Sequence, residues 1–174
     1  MPTTTSRRLP ASRVAASRAK AEVAVDVQFA TNRPAELEDA EIVGGAESVI
    51  RRMGDDPAAV EACIRIVEES ESEALNRDYR DHNKPTNVLS FPAELVVPDG
   101  ERVLGDIVIC DPVVRQEAQA QDKRVHDHYL HMVVHGMLHL YGYDHIDPAE
   151  ADAMEDLERE ILGGLGVADP YAAP

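Results

Sequence analysis

The sequence predicts one α+β domain, with about four strands in a mixed sheet packed with helices. The chain has 174 residues, a length at which a single core buries roughly 70% of the unfolded chain's surface. Alternating apolar segments and helical segments share the first two thirds of the chain, and the last third shows helical periodicity throughout. A chain in which strands and helices come first and only helices follow is typical of an α+β layer structure.

Residues 23–29 and 60–66 show the apolar alternation, with a period of two, of half-buried strands, and two further short apolar segments are bounded by turn residues. We predict strands over residues 23–29, 60–66, 87–91 and 104–110. Pro92 is predicted to close the third strand, because proline cannot donate to a sheet ladder. A turn at residues 98–100 precedes the fourth strand.

Five segments have apolar residues at helical spacing. They cover residues 34–53, about 68–79, 112–121, 124–140 and 148–162. Pro34 is predicted to open the first, which Gly44 and Gly45 weaken. Asp147 is the expected N-cap of the last, with Pro148 at its first position.

Composition excludes several classes of protein. The chain is 44% apolar, and no apolar run approaches the ~18 residues of a membrane span. Cys63 and Cys110 lie in apolar alternating segments, so we expect buried thiols in a reducing compartment. Two cysteines are too few for a cysteine-based zinc site or a disulfide framework.

The charge is divided unevenly between the N-terminus and the rest. The chain carries 17 basic against 33 acidic residues, a net charge of −16. Residues 1–20 carry +5 with no acid, and residues 21–174 therefore carry −21. We predict a disordered basic arm over 1–20 and one domain over 21–174; a transit peptide or an RNA-contacting arm stays open for the arm. The acidic domain argues against broad non-specific binding of nucleic acid.

Six of the seven histidines lie within twenty residues. His135 and His139 are four residues apart on an apolar helix, so both rings project side by side. Gly142 breaks that helix and the chain returns His145 to the same point. The spacing H-x3-H-x2-G-x2-H is that of the three-histidine zinc helix and turn of metzincins. Three protein ligands leave one position open, which is typical of a catalytic metal site. We expect a supporting role for His131 and surface positions for His126 and His128.

The residue after the first ligand argues against peptide hydrolysis. Metalloproteases of this pattern carry Glu there as general base, whereas this chain has Gly136. A metal can still serve phosphodiester chemistry if a cation stabilises the developing charge. The densest positive cluster of the domain is Arg77, Arg80, His82 and Lys84, followed by Thr86, Asn87 and Ser90 as short donors for phosphate oxygens. The alternative for this segment is a solvated loop whose cations pair with neighbouring acids.

Taken together, these segments resemble the YbeY family of bacterial endoribonucleases. The resemblance rests on HGMLHLYGYDH (135–145), LNRDYRDHNKPTNVLSFP (75–92), LGDIVIC (104–110) and the closing DPY (169–171). It covers roughly residues 22–171 and not the basic arm. The family commonly has Asp where this chain has Asn87.

The resemblance implies a function and its residues. His135, His139 and His145 would bind one Zn²⁺, and Arg80 would be the catalytic or substrate-binding cation. Asp144 would orient a ligand histidine or act as a cap. The implied activity is zinc-dependent cleavage of single-stranded RNA in 16S rRNA 3′-end maturation and ribosome quality control. The implied partners are rRNA and the small ribosomal subunit or its proteins, in the cytoplasm, with no membrane and no DNA. Three imidazoles also suit Ni²⁺ or another divalent ion.

Two other functions remain open from the sequence. One is a zinc metalloprotease-like hydrolase using the same three ligands. The other is a non-catalytic ribosome assembly factor with a structural metal. Its docking face would be the acidic last helix, with Glu150, Asp152, Glu155, Asp156, Glu158 and Glu160.

Overall fold

The structure, a computed structural model, describes residues 25–96 and 102–172. The predicted arm over residues 1–20 and the predicted turn at 98–100 lie outside these ranges. The strands are β1 (Val25–Phe29), β2 (Val60–Val67), β3 (Val88–Val96) and β4 (Arg102–Cys110). The helices are α1 (Asp39–Arg52), α2 (Glu69–Arg80), α3 (Asp111–Ala120), α4 (Val125–Leu140) and α5 (Pro148–Gly164), with a single 3-10 turn at Pro57–Ala59.

The four strands form one mixed sheet in the order β1-β2-β4-β3. The β1/β2 and β2/β4 pairs are parallel, and β3 runs antiparallel to β4 at the edge of the sheet. The predicted α+β class with a four-stranded mixed sheet is therefore confirmed. Within the described residues no helix is both long and apolar enough to cross a membrane.

Apolar side chains form a core on each face of the sheet. The larger core joins the sheet to α1, α4 and α5, and Tyr129, Met137 and Leu138 of α4 are completely buried in it. The smaller core lies under α2, where Leu75 packs against Val67 and Leu89. Because helices and sheet surround α4 on several sides, nearly its whole circumference is buried.

Two predicted boundaries are wrong. Helix α1 begins at Asp39 rather than at Pro34, since the backbone N–H of Glu38 donates to the Glu41 carboxylate at 2.9 Å and caps the helix there. Strand β3 continues past Pro92, which is tolerated because β3 is an edge strand. Pro92 lies opposite Gly105, next to an irregularity in the β3/β4 register.

At two positions the packing of the chain explains why the residue is glycine, which the sequence pattern did not reveal. A Cβ on Gly45 would lie 3.4 Å from both Leu130 and Val133, so this glycine lets α1 lie close to α4. Gly105 has φ +136°, and a Cβ there would lie 2.1 Å from the carbonyl oxygen of Phe91. Only glycine fits this position, because both the backbone conformation and the space exclude a side chain. Both cysteines are free thiols; Cys110 is buried and Cys63 half-buried.

Candidate metal centre

Three histidines predicted as ligands meet at the C-terminal end of α4. His135 and His139 lie one turn apart on the helix, with ring centroids 4.6 Å apart. Gly142, with φ +93°, turns the chain after the helix. The turn places the ring of His145 5.1 Å from that of His139 and 5.7 Å from that of His135. Each ring offers a nitrogen within 4.8 Å of the others.

Hydrogen bonds fix which nitrogens of His135 and His139 face the centre. The Nδ1 atom of His135 lies 2.6 Å from a Glu158 carboxylate oxygen, and that of His139 lies 2.8 Å from the carbonyl oxygen of Tyr143. Both partners are acceptors, so both Nδ1 atoms carry the proton and donate. The two Nε2 lone pairs then face each other at 3.0 Å.

This donor set fits a metal ion. Two facing lone pairs repel each other unless a cation lies between them. In tetrahedral zinc coordination, Zn–N bonds of ~2.0–2.1 Å place two ligand nitrogens roughly 3.3 Å apart. A shift of a few tenths of an ångström in the His135–His139 spacing therefore accommodates the ion. Burial and the neighbouring His135 lower the pKa of His139, which favours the neutral ring that a metal requires.

Glu158 supports the centre from α5. Its side chain is only 1% exposed. Burial disfavours its charge, but the nearby His131 ring and the hydrogen bonds from His135 and Tyr171 outweigh burial and lower the pKa of Glu158 to about 2. A buried carboxylate that accepts from the Nδ1–H of a ligand histidine fixes the orientation of that ring.

The sequence prediction for Glu158 is wrong, because it placed this residue on an acidic docking face. The signal for burial was present in the sequence. Met154, Ile161 and Leu162 are apolar residues at positions −4, +3 and +4 relative to Glu158, so all four share one face of α5. All four are buried.

A second combination of nearby donors consists of His131, His135 and Glu158. In this set both carboxylate oxygens of Glu158 already accept hydrogen bonds. His131 and Glu158 are also buried. The set of His135, His139 and His145 instead opens to a cleft of about 990 Å³. The geometry therefore favours the predicted three-histidine set.

Arg80 lines the same cleft as the three histidines. It is the last residue of α2, which ends because Asp81 adopts the left-handed conformation at φ 59°. Its guanidinium Nη2 donates to the carbonyl oxygen of Ser90 at 3.4 Å, and Arg80 makes no ion pair with any described residue. An exposed guanidinium held at the cleft wall is available for an anion.

The loop after Arg80 is fastened to α2 by two buried side chains that the sequence analysis missed. Asn76 donates to the carbonyl oxygen of Lys84 at 2.8 Å. The Ser72 hydroxyl donates to the carbonyl oxygen of Thr86 at 2.9 Å and accepts from its N–H at 3.0 Å. These bonds hold residues 81–87 along the rim of the cleft, where His82, Thr86 and Asn87 line it.

The predicted cationic cluster divides into two parts. Arg80 and His82 line the cleft, whereas Arg77 and Lys84 do not. Arg77 pairs instead with Asp78 at 3.0 Å. Arg77 and Arg80 are three residues apart on α2 and therefore lie on neighbouring parts of its surface, so the ion pair with Asp78 and the position of Arg80 at the helix end distinguish them.

Two predicted phosphate donors are already engaged. The Ser90 hydroxyl donates to the carbonyl oxygen of Gly136 at 3.1 Å, which ties β3 to the metal helix. The Asn87 amide donates to both oxygens of Glu117, at 3.1 and 3.2 Å. An ionised Asp at position 87 lacks this donor. Asp144 accepts from the backbone N–H of His145 at 2.7 Å, within the turn that precedes α5.

The prediction that His126 and His128 are surface residues is wrong for His128 and incomplete for His126. His128 is buried, and its Nε2 lies 2.8 Å from Glu117. His126 is half-buried between Asp127 and Glu41, at 2.9 and 3.0 Å. Hydrogen bonds to these two carboxylates raise the pKa of His126. The error arose because α3 and α1 cover the sides of α4 that hold these rings.

Comparison with known proteins identifies the family. A sequence model described as Endoribonuclease YbeY matches residues 18–166. A protein named Endoribonuclease YbeY from Halorhodospira halophila is 59% identical over 114 residues, which cover 64% of this chain and 74% of that protein. Another of the same name, from Alteromonas mediterranea, is 57% identical over 115 residues, covering 65% and 72%.

A solution structure of a Thermotoga maritima protein shares the fold. It superposes with a TM-score of 0.54 at 23% identity, covering 86% of this chain and 99% of that protein. The family match and these two relatives support a nuclease role for the chain. The resemblance seen in the sequence is confirmed, and the chain belongs to the Endoribonuclease YbeY family.

Proposed function

We propose that this chain is a metal-dependent endoribonuclease acting on single-stranded RNA, with His135, His139 and His145 holding one Zn²⁺ and Arg80 binding the scissile phosphate. The observation that carries the proposal is that three histidines and an exposed arginine, which makes no ion pair with the residues that the structure describes, line one open cleft. Ni²⁺ or another divalent ion suits the same three imidazoles.

The chemistry divides between the ion and the protein. A divalent ion at the three histidines supplies Lewis acidity toward a phosphoryl oxygen and lowers the pKa of water. Arg80 supplies a planar fork of donors that can bond two phosphate oxygens at once. It would orient the phosphodiester and stabilise the negative charge that develops on it during cleavage. Glu158 and the Tyr143 carbonyl oxygen keep the two helical ligands in the tautomer with Nε2 free.

The backbone at Gly136 argues against proteolysis by the same centre. A Cβ on Gly136 would lie 2.9 Å from Ile107 of β4, so this position faces the sheet and not the cleft. A glutamate at this position would therefore clash with the sheet, and the centre lacks the general base that zinc proteases of this pattern use.

We further propose that the substrate is rRNA and the process is 16S rRNA 3′-end maturation and ribosome quality control in the cytoplasm, as the family resemblance implies. The net charge of −16 disfavours binding along an extended RNA duplex. Binding would instead depend on the cleft around Arg80 and on the small ribosomal subunit or its proteins.

The test compares charge reversal at two arginines of the same helix. Arg80→Glu is expected to abolish cleavage of an rRNA precursor while the zinc content stays at the wild-type level. Arg77→Glu is the matched control, since Arg77 lies outside the cleft, and it is expected to keep wild-type cleavage. Cleavage retained in Arg80→Glu would remove this residue from the mechanism.

A second variant separates catalysis from a structural metal. His139→Ala is expected to lose both zinc and cleavage, and a chelator is expected to stop cleavage by the wild type. Cleavage that survives both treatments would overturn the metal-dependent mechanism. If cells expressing a folded His139→Ala protein still mature their rRNA, the chain is a non-catalytic assembly factor instead.

A further inference from the structure

The closing DPY segment (169–171) supplies neither a metal ligand nor the phosphate-binding cation, yet it reaches the metal centre. Its Tyr171 hydroxyl donates to Oε2 of Glu158, the oxygen opposite the one that binds His135. Tyr171 also lines the cleft. The C-terminal tail therefore contacts the carboxylate that orients a ligand histidine.

The Tyr171 hydroxyl is the group that hydrogen-bonds to Oε2 of Glu158. The alternative donor, His131 Nε2, lies 3.6 Å from Oε2, which is too long for a good hydrogen bond. The same His131 nitrogen lies 3.4 Å from the Tyr171 hydroxyl, and its Nδ1 is buried without a partner among the described residues. The His131 ring packs edge-on against Tyr171, at 5.6 Å between centroids. His131 therefore packs against Tyr171 and makes no short hydrogen bond to Glu158.

Several contacts fix the tail that carries Tyr171. The Lys123 ammonium donates to the carbonyl oxygen of Pro170 at 2.7 Å. Asp169 accepts from the backbone N–H of Tyr171 at 2.9 Å and lies 3.5 Å from the guanidinium of Arg159. The Arg159 guanidinium also lies over the Tyr171 ring, 4.9 Å from its centre. The hydroxyl is thus held in place by groups from the α3–α4 connection and from α5.

A carboxylate with one oxygen anchored has its second oxygen fixed in direction, because the group rotates as a rigid plane about its last bond. We propose that Tyr171 is a positioning residue of the metal centre, whose hydroxyl anchors Glu158 so that His135 keeps its proton on Nδ1 and presents Nε2 to the metal. This inference rests on the proposed function for the identity of the ligands. It extends the centre to a residue near the end of the described chain, beyond the three histidines and Arg80.

Removal of the hydroxyl should change the tautomer of His135. Without the anchor the Glu158 carboxylate can rotate, and a neutral imidazole that lacks a fixed acceptor populates both tautomers. Only the tautomer with the proton on Nδ1 can bind a metal through Nε2. Loss of the partner of a ligand histidine typically weakens metal binding by 10–100-fold. Tyr171 acts on His135 only through Glu158, so we expect its loss to have a smaller effect, roughly 3- to 10-fold weaker zinc binding.

The test uses the full chain with Tyr171→Phe, and Tyr141→Phe as the matched control. Tyr141 also donates its hydroxyl to a carboxylate, that of Asp55 at 2.8 Å, but neither residue lines the cleft. The first measurement is the ¹⁵N spectrum of the histidine side chains in the metal-free protein at pH 8. The wild type and Tyr141→Phe should show His135 with its proton on Nδ1, and Tyr171→Phe should show a mixture.

The second measurement is the dissociation constant for Zn²⁺, by competition with a chromophoric chelator. We expect a 3- to 10-fold increase for Tyr171→Phe and none for Tyr141→Phe. An unchanged His135 tautomer in Tyr171→Phe, or zinc binding within twofold of the wild type, would overturn the inference. An equal loss in both variants would also overturn it, because the effect would then be general destabilisation. If the wild type bound no zinc, the proposed function would fail, and the tautomer of the metal-free protein would still decide the role of Tyr171.

Discussion

Glu158 is the residue whose replacement tests the description of the metal centre most directly. Glu158→Gln replaces a buried carboxylate by a neutral group of the same shape. The pKa of Glu158 is lowered from its ordinary 4.5 to about 2, and each unit of such a shift corresponds to about 1.36 kcal/mol. The ionised form therefore contributes ~3 kcal/mol to the stability of the metal-free protein at pH 7. We expect Glu158→Gln to lose about that amount.

The loss should depend on pH in a defined direction. A carboxyl group whose pKa is lowered on folding stabilises the protein fully above its unfolded pKa, here 4.5. This stabilisation disappears as the pH falls through 4.5 toward the folded value of about 2. The difference between wild type and Glu158→Gln should therefore be ~3 kcal/mol at pH 7 and roughly half of that at pH 3.

Urea unfolding of the metal-free proteins, followed by circular dichroism, measures this difference. Glu160→Gln is the matched control on the same helix, because Glu160 is exposed and paired with Arg52 at the surface. Such pairs contribute little, so the control should unfold close to the wild-type midpoint. A difference for Glu158→Gln that is below ~1 kcal/mol at pH 7, or the same at pH 7 and pH 3, would refute the reasoning.

Three further predictions concern the glycines and the metal. Gly44→Ala should raise the free energy of unfolding by about 0.5–1 kcal/mol, because Gly44 is inside α1 and a Cβ there meets no atom within 4 Å; a lower urea midpoint would contradict the packing of α1. Gly105→Ala should lower it by at least about 3 kcal/mol, since its Cβ would overlap the Phe91 carbonyl in a backbone conformation that favours glycine; a wild-type midpoint would contradict the β3–β4 geometry. Zn²⁺ at 100 times its dissociation constant should stabilise the wild type by about 2.7 kcal/mol, and His145→Ala should remove most of this gain; a melting temperature that zinc leaves unchanged would contradict metal binding.

The helices and strands that could be predicted from the sequence are those whose apolar residues repeat with a regular local period. Strands β2 and β4 and helices α4 and α5 begin and end within a few residues of the predicted positions, because their apolar residues repeat with one clear period. The start of α1 was predicted less well, since Pro34 and the Glu38–Glu41 capping pair are both start signals. The continuation of β3 through Pro92 depends on its place at the sheet edge, which only strand order reveals.

The site was predictable where function is carried by residues close in sequence. His135, His139 and His145 lie on one helix and its following turn, so spacing alone brings them together. Glu158 and Tyr171 reach the same centre from 23 and 36 positions beyond His135, and their contacts require the packing of α5 and the tail against α4. Burial of Glu158 was readable from its apolar neighbours, but its partner was not.

By itself, the sequence determined the α+β class, the family and the three histidines, because helical and strand periods and ligand spacing are properties of short stretches of chain. The tertiary structure alone decided which cations face the cleft. Arg80 lines it at the end of α2, whereas Arg77 pairs with Asp78 and Lys84 lies in the loop that Ser72 and Asn76 hold against the helix. It also decided that the buried carboxylate of Glu158 lies against His135. A charge is stable there because donors from α4 and from the tail surround it.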